Sequence, residues 1–362
     1  MEAIMRAAGA LMGTELSDPV DLGGNPRSTV LRCRTAAGGS VIVKAYTGER
    51  DALRAFTSEA AGLSLGVAGP ELLGVDPEYP MVVMRDLGDL PTLVDVLLGG
   101  DAGAAREGLL SWAATLGRLA AESVRHRRRF TGLRARFHKG VPGWDEEPWL
   151  AEDADGLLAL LAGTGITAPD GLAADLEAIG AVSGPEFSAF TPGDTCADNV
   201  LLTPDGPVLI DFESASFAPV FLTAAYFRMP FSSCWCVFRL PGDVAAQVED
   251  AYRAEVAEVY PPLADDGLWR PGVRRAVAAW TVNATVHLLP RSTPDRPTHR
   301  IRRPVPTLRQ LLRYRWEEAG ELTEYPAFAE TMGLLLREVA ADWDVPSLPC
   351  YPAFQPTPSP NR

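Results

Sequence analysis

The 362-residue chain carries 33 lysines and arginines against 47 aspartates and glutamates, a formal net charge of −14, and 47% of its residues are hydrophobic. That balance fits a globular chain long enough for two lobes with real cores and argues against a disordered one; the acidity disfavours nucleic acid and anionic membranes as partners and suits cationic ligands. No apolar run approaches the roughly 18 residues that a membrane span needs, and residues 1–13 lack the basic start and continuous apolar core of a signal peptide, so a cytoplasmic protein is expected.

In chain order, Val30 to Thr35 and Ser40 to Tyr46 are strand-like runs joined by Ala36-Ala37-Gly38-Gly39, which predicts a hairpin with Lys44 in its second strand. A helix is predicted from Ala52 to Leu65, with Ala52, Phe56, Ala60 and Leu63 on one stripe. Glu59 falls three residues after Phe56 and four before Leu63, so its carboxylate borders the buried face. An acid there needs a partner, and Lys44 is the natural candidate. Met81-Val82-Val83-Met84 reads as a short apolar strand leading into Arg85-Asp86-Leu87-Gly88. Helical patterns follow at 104–125, 147–161 and 172–179.

Phe190 to Ala215 then read FTPGDTCADNVLLTPDGPVLIDFESA. Val200 to Leu202 and Val208 to Ile210 are apolar runs around Thr203-Pro204-Asp205-Gly206-Pro207, whose Pro and Gly suit a turn. If the two strands pair antiparallel, Asp194 and Asn199 before the first and Asp211 after the second lie at one end of the hairpin. Carboxylate and amide oxygens so gathered suit a hard cation such as Mg²⁺ beside nucleotide phosphates. Further helices are predicted at 219–228, 243–259, 272–289, 307–319 and 327–341, and the chain beyond Asp342 is Pro-rich through Arg362. That tail should be extended and partly disordered, with Tyr351 and Phe354 as the residues able to pin it.

The segment from Pro192 to Glu213 resembles the catalytic core of the aminoglycoside phosphotransferase and choline kinase superfamily, whose pattern is His-Gly-Asp, four residues, Asn, a hairpin, then Asp. The resemblance implies an α+β, bilobal protein-kinase-like fold: a β-rich N-lobe over residues 1–86, a mainly helical C-lobe over 87–343 with the catalytic hairpin at 190–215, and a tail at 344–362. It implies Asp194 as the residue that orients the acceptor hydroxyl and accepts its proton, and Asn199 and Asp211 as Mg²⁺ ligands. Glu213, in the place of the glycine of a kinase DFG motif, is a further metal residue. Lys44 is placed on the phosphates of ATP or GTP and paired with Glu59. Backbone groups near Met84, Arg85 and Asp86 are expected to hold the purine. Gly23 and Gly24, within Leu22 to Ser28, stand where kinases have a glycine-rich loop, though the segment is not GxGxxG. The family histidine is Pro192 here, a change that bears on catalytic efficiency more than on nucleotide binding.

The activity so implied is transfer of a γ-phosphoryl group to a hydroxyl of a small molecule, aminoglycoside-like or another metabolite. One alternative is a kinase acting on Ser or Thr of a peptide during natural-product maturation. Another is a pseudokinase scaffold, for which Pro192 is the positive sign. A deep acidic cleft beside Asp194 would point to a cationic small molecule, a basic groove to a peptide, and a nucleotide cleft filled by side chains to the scaffold.

Trp144-Asp145-Glu146-Glu147-Pro148-Trp149, followed by Glu152, Asp153 and Asp155, either faces substrate or supplies acids to a helix N-terminus. The basic runs Arg118 to Lys139 and Arg291 to Arg303 read as solvated helix ends and loops, or as docking surfaces for an acidic partner. Five cysteines fit reduced thiols better than a disulfide framework. Cys234-Trp235-Cys236 has one spacer residue and no second pair or nearby His, against a zinc reading, and Cys196 is expected to pack as a thiol. Tyr226, Phe227 and Phe231 are expected in the core.

Overall fold

The computed structural model describes residues 1–137, 139–229 and 234–356; Phe231 and the prolines beyond position 356 lie outside the described residues. The fold is α+β and bilobal. Its N-terminal part holds α1 (Glu2–Met12), β1 (Leu16–Asn25), β2 (Ser28–Thr35), β3 (Ser40–Tyr46), α2 (Arg50–Leu65), β4 (Leu72–Asp76) and β5 (Met81–Arg85). The five strands form one antiparallel sheet in the order β1-β2-β3-β5-β4. Side chains alternate across it. Val41, Val43 and Ala45 of β3 join Leu31, Cys33, Met81 and Val83 in a core beneath α1, closed by Ala8. Ile42, Lys44 and Tyr46 therefore face the other way, toward α2.

Neither α1 nor β1 was legible in the sequence. β1 contains Pro19, breaks register twice and is exposed along most of its length, properties that an edge strand tolerates and an alternation test misses. Strand β4 is likewise half-buried along its whole length, so it shows no period of two.

In the second lobe, α3 (Leu93–Leu97), α4 (Ala102–Ser123), α5 (Arg127–Phe137), α6 (Trp149–Thr164) and α7 (Leu172–Gly180) precede four short strands: β6 (Ser188–Thr191), β7 (Val200–Thr203), β8 (Gly206–Leu209) and β9 (Ser216–Pro219). Helices α8 (Val220–Arg228), α9 (Gly242–Val259), α10 (Asp266–Leu288), α11 (Leu308–Ala319) and α12 (Pro326–Leu334) follow, the last running on as a π turn over Leu335–Val339. Trp112, Phe227, Tyr252, Trp269 and Trp316 are fully buried anchors of this lobe. The basic segment contains α5, held by Phe130 and Phe137, the two buried side chains of an otherwise hydrophilic helix.

The C-terminal tail is packed rather than loose as far as position 356. Tyr351 is completely buried, its hydroxyl donates to the Cys236 carbonyl at 2.6 Å, and its ring meets Phe238. Arg239 pairs with the tail on both sides, through Pro349 O and Tyr351 N.

Candidate active site

Two small sheets bring the acidic residues together. β7 and β8 pair antiparallel from Val200↔Leu209 to Thr203↔Gly206, and the turn is tied by the Thr203 hydroxyl donating to Gly206 O at 2.8 Å. Ile210 N–H donates to the Asn199 carbonyl at 2.9 Å, so Asp211 emerges beside Asn199. β6 and β9 pair from Ser188↔Pro219 to Thr191↔Ser216, so one strand leads into the Asp194 loop while the other leads away from Asp211. The loops touch at Gly193, which sits at φ 89°; a Cβ there would stand 2.3 Å from the Ser214 carbonyl oxygen, so only glycine fits. Asp211 itself adopts φ 65°, a left-handed conformation that costs a non-glycine residue about 1–2 kcal/mol and is held by its surroundings.

Around Asp194, the Cys196 N–H donates to Oδ1 at 3.3 Å and the Asn199 amide nitrogen donates to its carbonyl at 3.2 Å. That leaves the oxygen of the Asn199 amide as the end able to ligate a cation. Phe212, next to Asp211, is fully buried: its ring edge passes beneath Gly62 of α2 and stacks 6.2 Å from Phe190.

Opposite these residues, Lys44 lies in a ring of acids. Its Nζ is 3.0 Å from Glu59 Oε2, 2.6 Å from Asp211 Oδ1 and 3.3 Å from Glu213 Oε2. Glu59 also accepts from the Tyr46 hydroxyl at 3.2 Å. Burial would lower the Lys44 ammonium, yet Glu59, Asp211 and Glu213 hold it well above its ordinary value. Glu213 is the most heavily used acid: Arg27 ion-pairs with it, Asn25 donates to it at 3.2 Å, and Trp144 Nε1 donates to its carbonyl at 2.9 Å. Its Oε2 is buried and faces the Lys44 ammonium without making a hydrogen bond of good geometry. A carboxylate oxygen of that kind beside Asp211 suits a hard cation, so the donor set present fits Mg²⁺.

Gly23 and Gly24 pair with Val30 and Thr29 just before the last pair of β1, Asn25↔Ser28, which closes the tight turn. Backbone at the end of β5 is already engaged: Met84 pairs with Ile42 and Leu72, and Arg85 N–H donates to Glu71 O at 2.8 Å. Asp86 acts as a brace. Burial alone would raise its carboxyl, but hydrogen bonds from the Ser40 hydroxyl at 2.6 Å and Gly88 N–H at 2.9 Å, with the Arg32 guanidinium, hold it below its ordinary value.

Beside Asp194 opens a cavity of about 560 Å³. Much of its wall is aromatic: Trp144, Trp149, Phe217, Tyr226 and Trp280, with Trp149 and Trp280 in ring contact at 5.4 Å. The acidic loop does reach this wall, yet its charges are matched. Asp145 pairs with Arg134 at 2.6 Å, and Glu147 pairs with Arg54, whose guanidinium stacks 4.5 Å from the Trp144 ring. Asp153 turns inward instead, to Asn283 at 2.8 Å and His287 at 3.1 Å.

Pairing also covers much of the basic run: Arg118 meets Glu255, Arg129 reaches Ser64 O, and Arg127 lies over Phe217 at the cavity wall. In the second run, Arg302 stands 3.5 Å from Asp95. Sequence reasoning did not find Arg54, Arg27 or Asn25 as parts of this site, because each is joined to it by a partner more than ninety residues away. The thiols also depart from expectation. Cys196 and Cys234 have Cα atoms 5.6 Å apart with their sulfurs in bonding reach, and Cys236 Sγ lies 3.1 Å from Cys234 Sγ.

No protein-family model and no curated protein matches the chain. Solved structures do. A candidate fructosamine-3-kinase from Thermobifida fusca is 19% identical, with 79% of this chain and 93% of that chain covered at a TM-score of 0.50. A type I macrolide 2′-phosphotransferase is 15% identical over 80% of this chain and 92% of its own, also at 0.50. The gentamicin–APH(2″)-IIa complex is 13% identical over 91% and 98%, again at 0.50. The chain shares the bilobal α+β fold of these solved kinases and phosphotransferases.

Proposed function

We propose that the protein is a nucleotide-dependent phosphotransferase that moves the γ-phosphoryl group of ATP or GTP to a hydroxyl of a small molecule. What supports this reading is that Asp194 lines the aromatic cavity while Asp211, on the loop that touches Gly193, pairs with Lys44. Lys44 would bind the phosphates, with Glu59 fixing its position. Mg²⁺ would be held by Asn199 and Asp211, with Glu213 as a further ligand, and would supply neutralisation of phosphate charge. Asp194 would accept the hydrogen bond of the acceptor hydroxyl and take its proton as the new ester bond forms. Catalysis would then rest on positioning and charge stabilisation, with no covalent enzyme intermediate. Since the β5 backbone is engaged in the sheet at Met84 and Arg85, purine contacts would come from Asp86 onward. Gly23 and Gly24 would shape the turn that carries Asn25 and Arg27, and binding of phosphates would compete with the Arg27 and Asn25 contacts to Glu213.

Ion pairing of Asp145 and Glu147 lowers the negative charge of the cavity, while the rings remain. The acceptor class this favours is a hydroxylated compound with apolar or ring faces, rather than a polycation held by free carboxylates or a peptide in a basic groove. The test is transfer of labelled γ-phosphate from ATP and GTP to a panel of hydroxylated ring compounds, with Asp194→Asn as control. Labelled product with the wild type and none with the variant is the expected outcome; equal labelling by both would remove Asp194 from the chemistry.

A further inference from the structure

Cys196, Cys234 and Cys236 are three buried cysteines whose sulfur atoms all lie within 4.8 Å of one another, with Cys196 and Cys234 in disulfide-bonding contact. They come from two distant places, the loop between Asp194 and Asn199 and the segment beyond α8. Asp198 stands beside one of them, at the edge of the group the three sulfurs form. Asp198 Oδ1 is 3.7 Å from Cys234 Sγ, while its Oδ2 accepts from Trp235 Nε1 at 2.6 Å.

We propose that these residues form a tetrahedral zinc site of three thiolates and the Asp198 carboxylate, separate from the Mg²⁺-type oxygen ligands at Asn199 and Asp211. Thiolate donors select zinc or another soft ion over Mg²⁺. With zinc–sulfur and zinc–oxygen bonds of about 2.3 and 2.0 Å, neighbouring tetrahedral ligands stand roughly 3.5–3.8 Å apart. The 3.7 Å between Asp198 and Cys234 matches that spacing, the 3.1 Å between Cys234 and Cys236 opens to it with a shift of under an ångström, and the Cys196 and Cys234 sulfurs, in bonding reach of each other, have to part to it by a larger movement. A disulfide between Cys196 and Cys234 would use two sulfurs and leave Cys236 in the cluster without a role; the metal uses all three. The Trp235 indole provides the outer hydrogen bond that fixes which oxygen of Asp198 faces the ion.

The site's task is to hold the catalytic loop. Cys196 donates its N–H to the Asp194 carboxylate, and Cys236 is fastened through its carbonyl to the buried Tyr351 hydroxyl of the tail. One ion thus ties the Asp194–Asn199 loop, the segment after α8 and the packed tail into one unit. Position 192 contributes no side-chain hydrogen bond to that loop, because it is proline.

The test is metal analysis of the full chain purified under reducing conditions without chelator. About one zinc per chain is expected, retained in Cys350→Ser and reduced to less than about one fifth in Cys196→Ser and Cys236→Ser. Because those two variants can fail to fold, the wild type gives a second readout: replacing zinc with cobalt(II) should produce thiolate-to-cobalt charge-transfer absorption and tetrahedral d–d bands. Wild-type protein with no bound metal and all five thiols free, or with an intact Cys196–Cys234 disulfide in a non-reducing peptide map, overturns the proposal.

Discussion

In the region proposed for the nucleotide, Lys44 is ringed by three carboxylates within 3.3 Å, and Glu213 is reached by both lobes; in the region proposed for the acceptor, beside Asp194, the wall is built from rings whose neighbouring acids are already paired. The first region is a charge device in which every member depends on the others. Removing one leaves a buried charge uncompensated. The second is a shape device in which each ring contributes area and few polar groups are at stake. A substitution on the nucleotide side should therefore disturb stability and phosphate binding together, and one on the acceptor side should disturb recognition alone.

The largest expected effect lies where the two regions meet. Asp194→Asn should lower transfer about a thousandfold while leaving the nucleotide Kd within about twofold, measured by product formation and by calorimetry on the same preparation. If nucleotide binding collapses as well, the regions are not separable. Next, Lys44→Met leaves Glu59 and Asp211 without their cation and Glu213 with Arg27 alone, and should cost about 3 kcal/mol in denaturant unfolding at neutral pH. The deficit should shrink as acid protonates Glu59, whose carboxyl burial pushes up.

On the other side, Trp149→Ala should raise the acceptor KM about tenfold through loss of ring area, with the nucleotide Kd unchanged. A smaller effect sharpens the role of the brace at the end of β5. Asp86 is depressed in the folded protein, so the stability it adds is present above its ordinary value of 3.8 and is lost as the pH falls through its folded value. The Tm gap between wild type and Asp86→Asn should accordingly be open at neutral pH and close progressively below that value. A gap independent of pH would show that Asp86 acts through shape rather than charge.

The charge device was far more legible in the sequence than the shape device, for physical reasons. Asp194, Asn199 and Asp211 flank one hairpin, so local spacing alone places them together, and Glu59 is exposed as unusual by lying on a buried helical stripe. Phe217, Tyr226 and Trp280 belong to three separate segments, and each looks like an ordinary core aromatic until the chain is folded; Trp144 stands in a loop whose sequence already reads as able to face substrate. Cys196 and Cys234 are 38 residues apart, so the lone Cys-Trp-Cys gave no sign of its third sulfur. The tail was legible in part: Tyr351, expected to be able to pin it, is its buried anchor, and its prolines allow one 3-10 turn at Pro352–Phe354 where no helix was expected.

The account's central claim is that Asp211, facing Lys44, holds a metal that nucleotide binding requires. Calorimetry of the wild type and Asp211→Ala with ATP and GTP, with and without Mg²⁺, tests it most directly. Binding of one nucleotide that depends on Mg²⁺ and disappears in the variant is the predicted result. No binding of either nucleotide to the wild type, or equal binding to both proteins without metal, would contradict it.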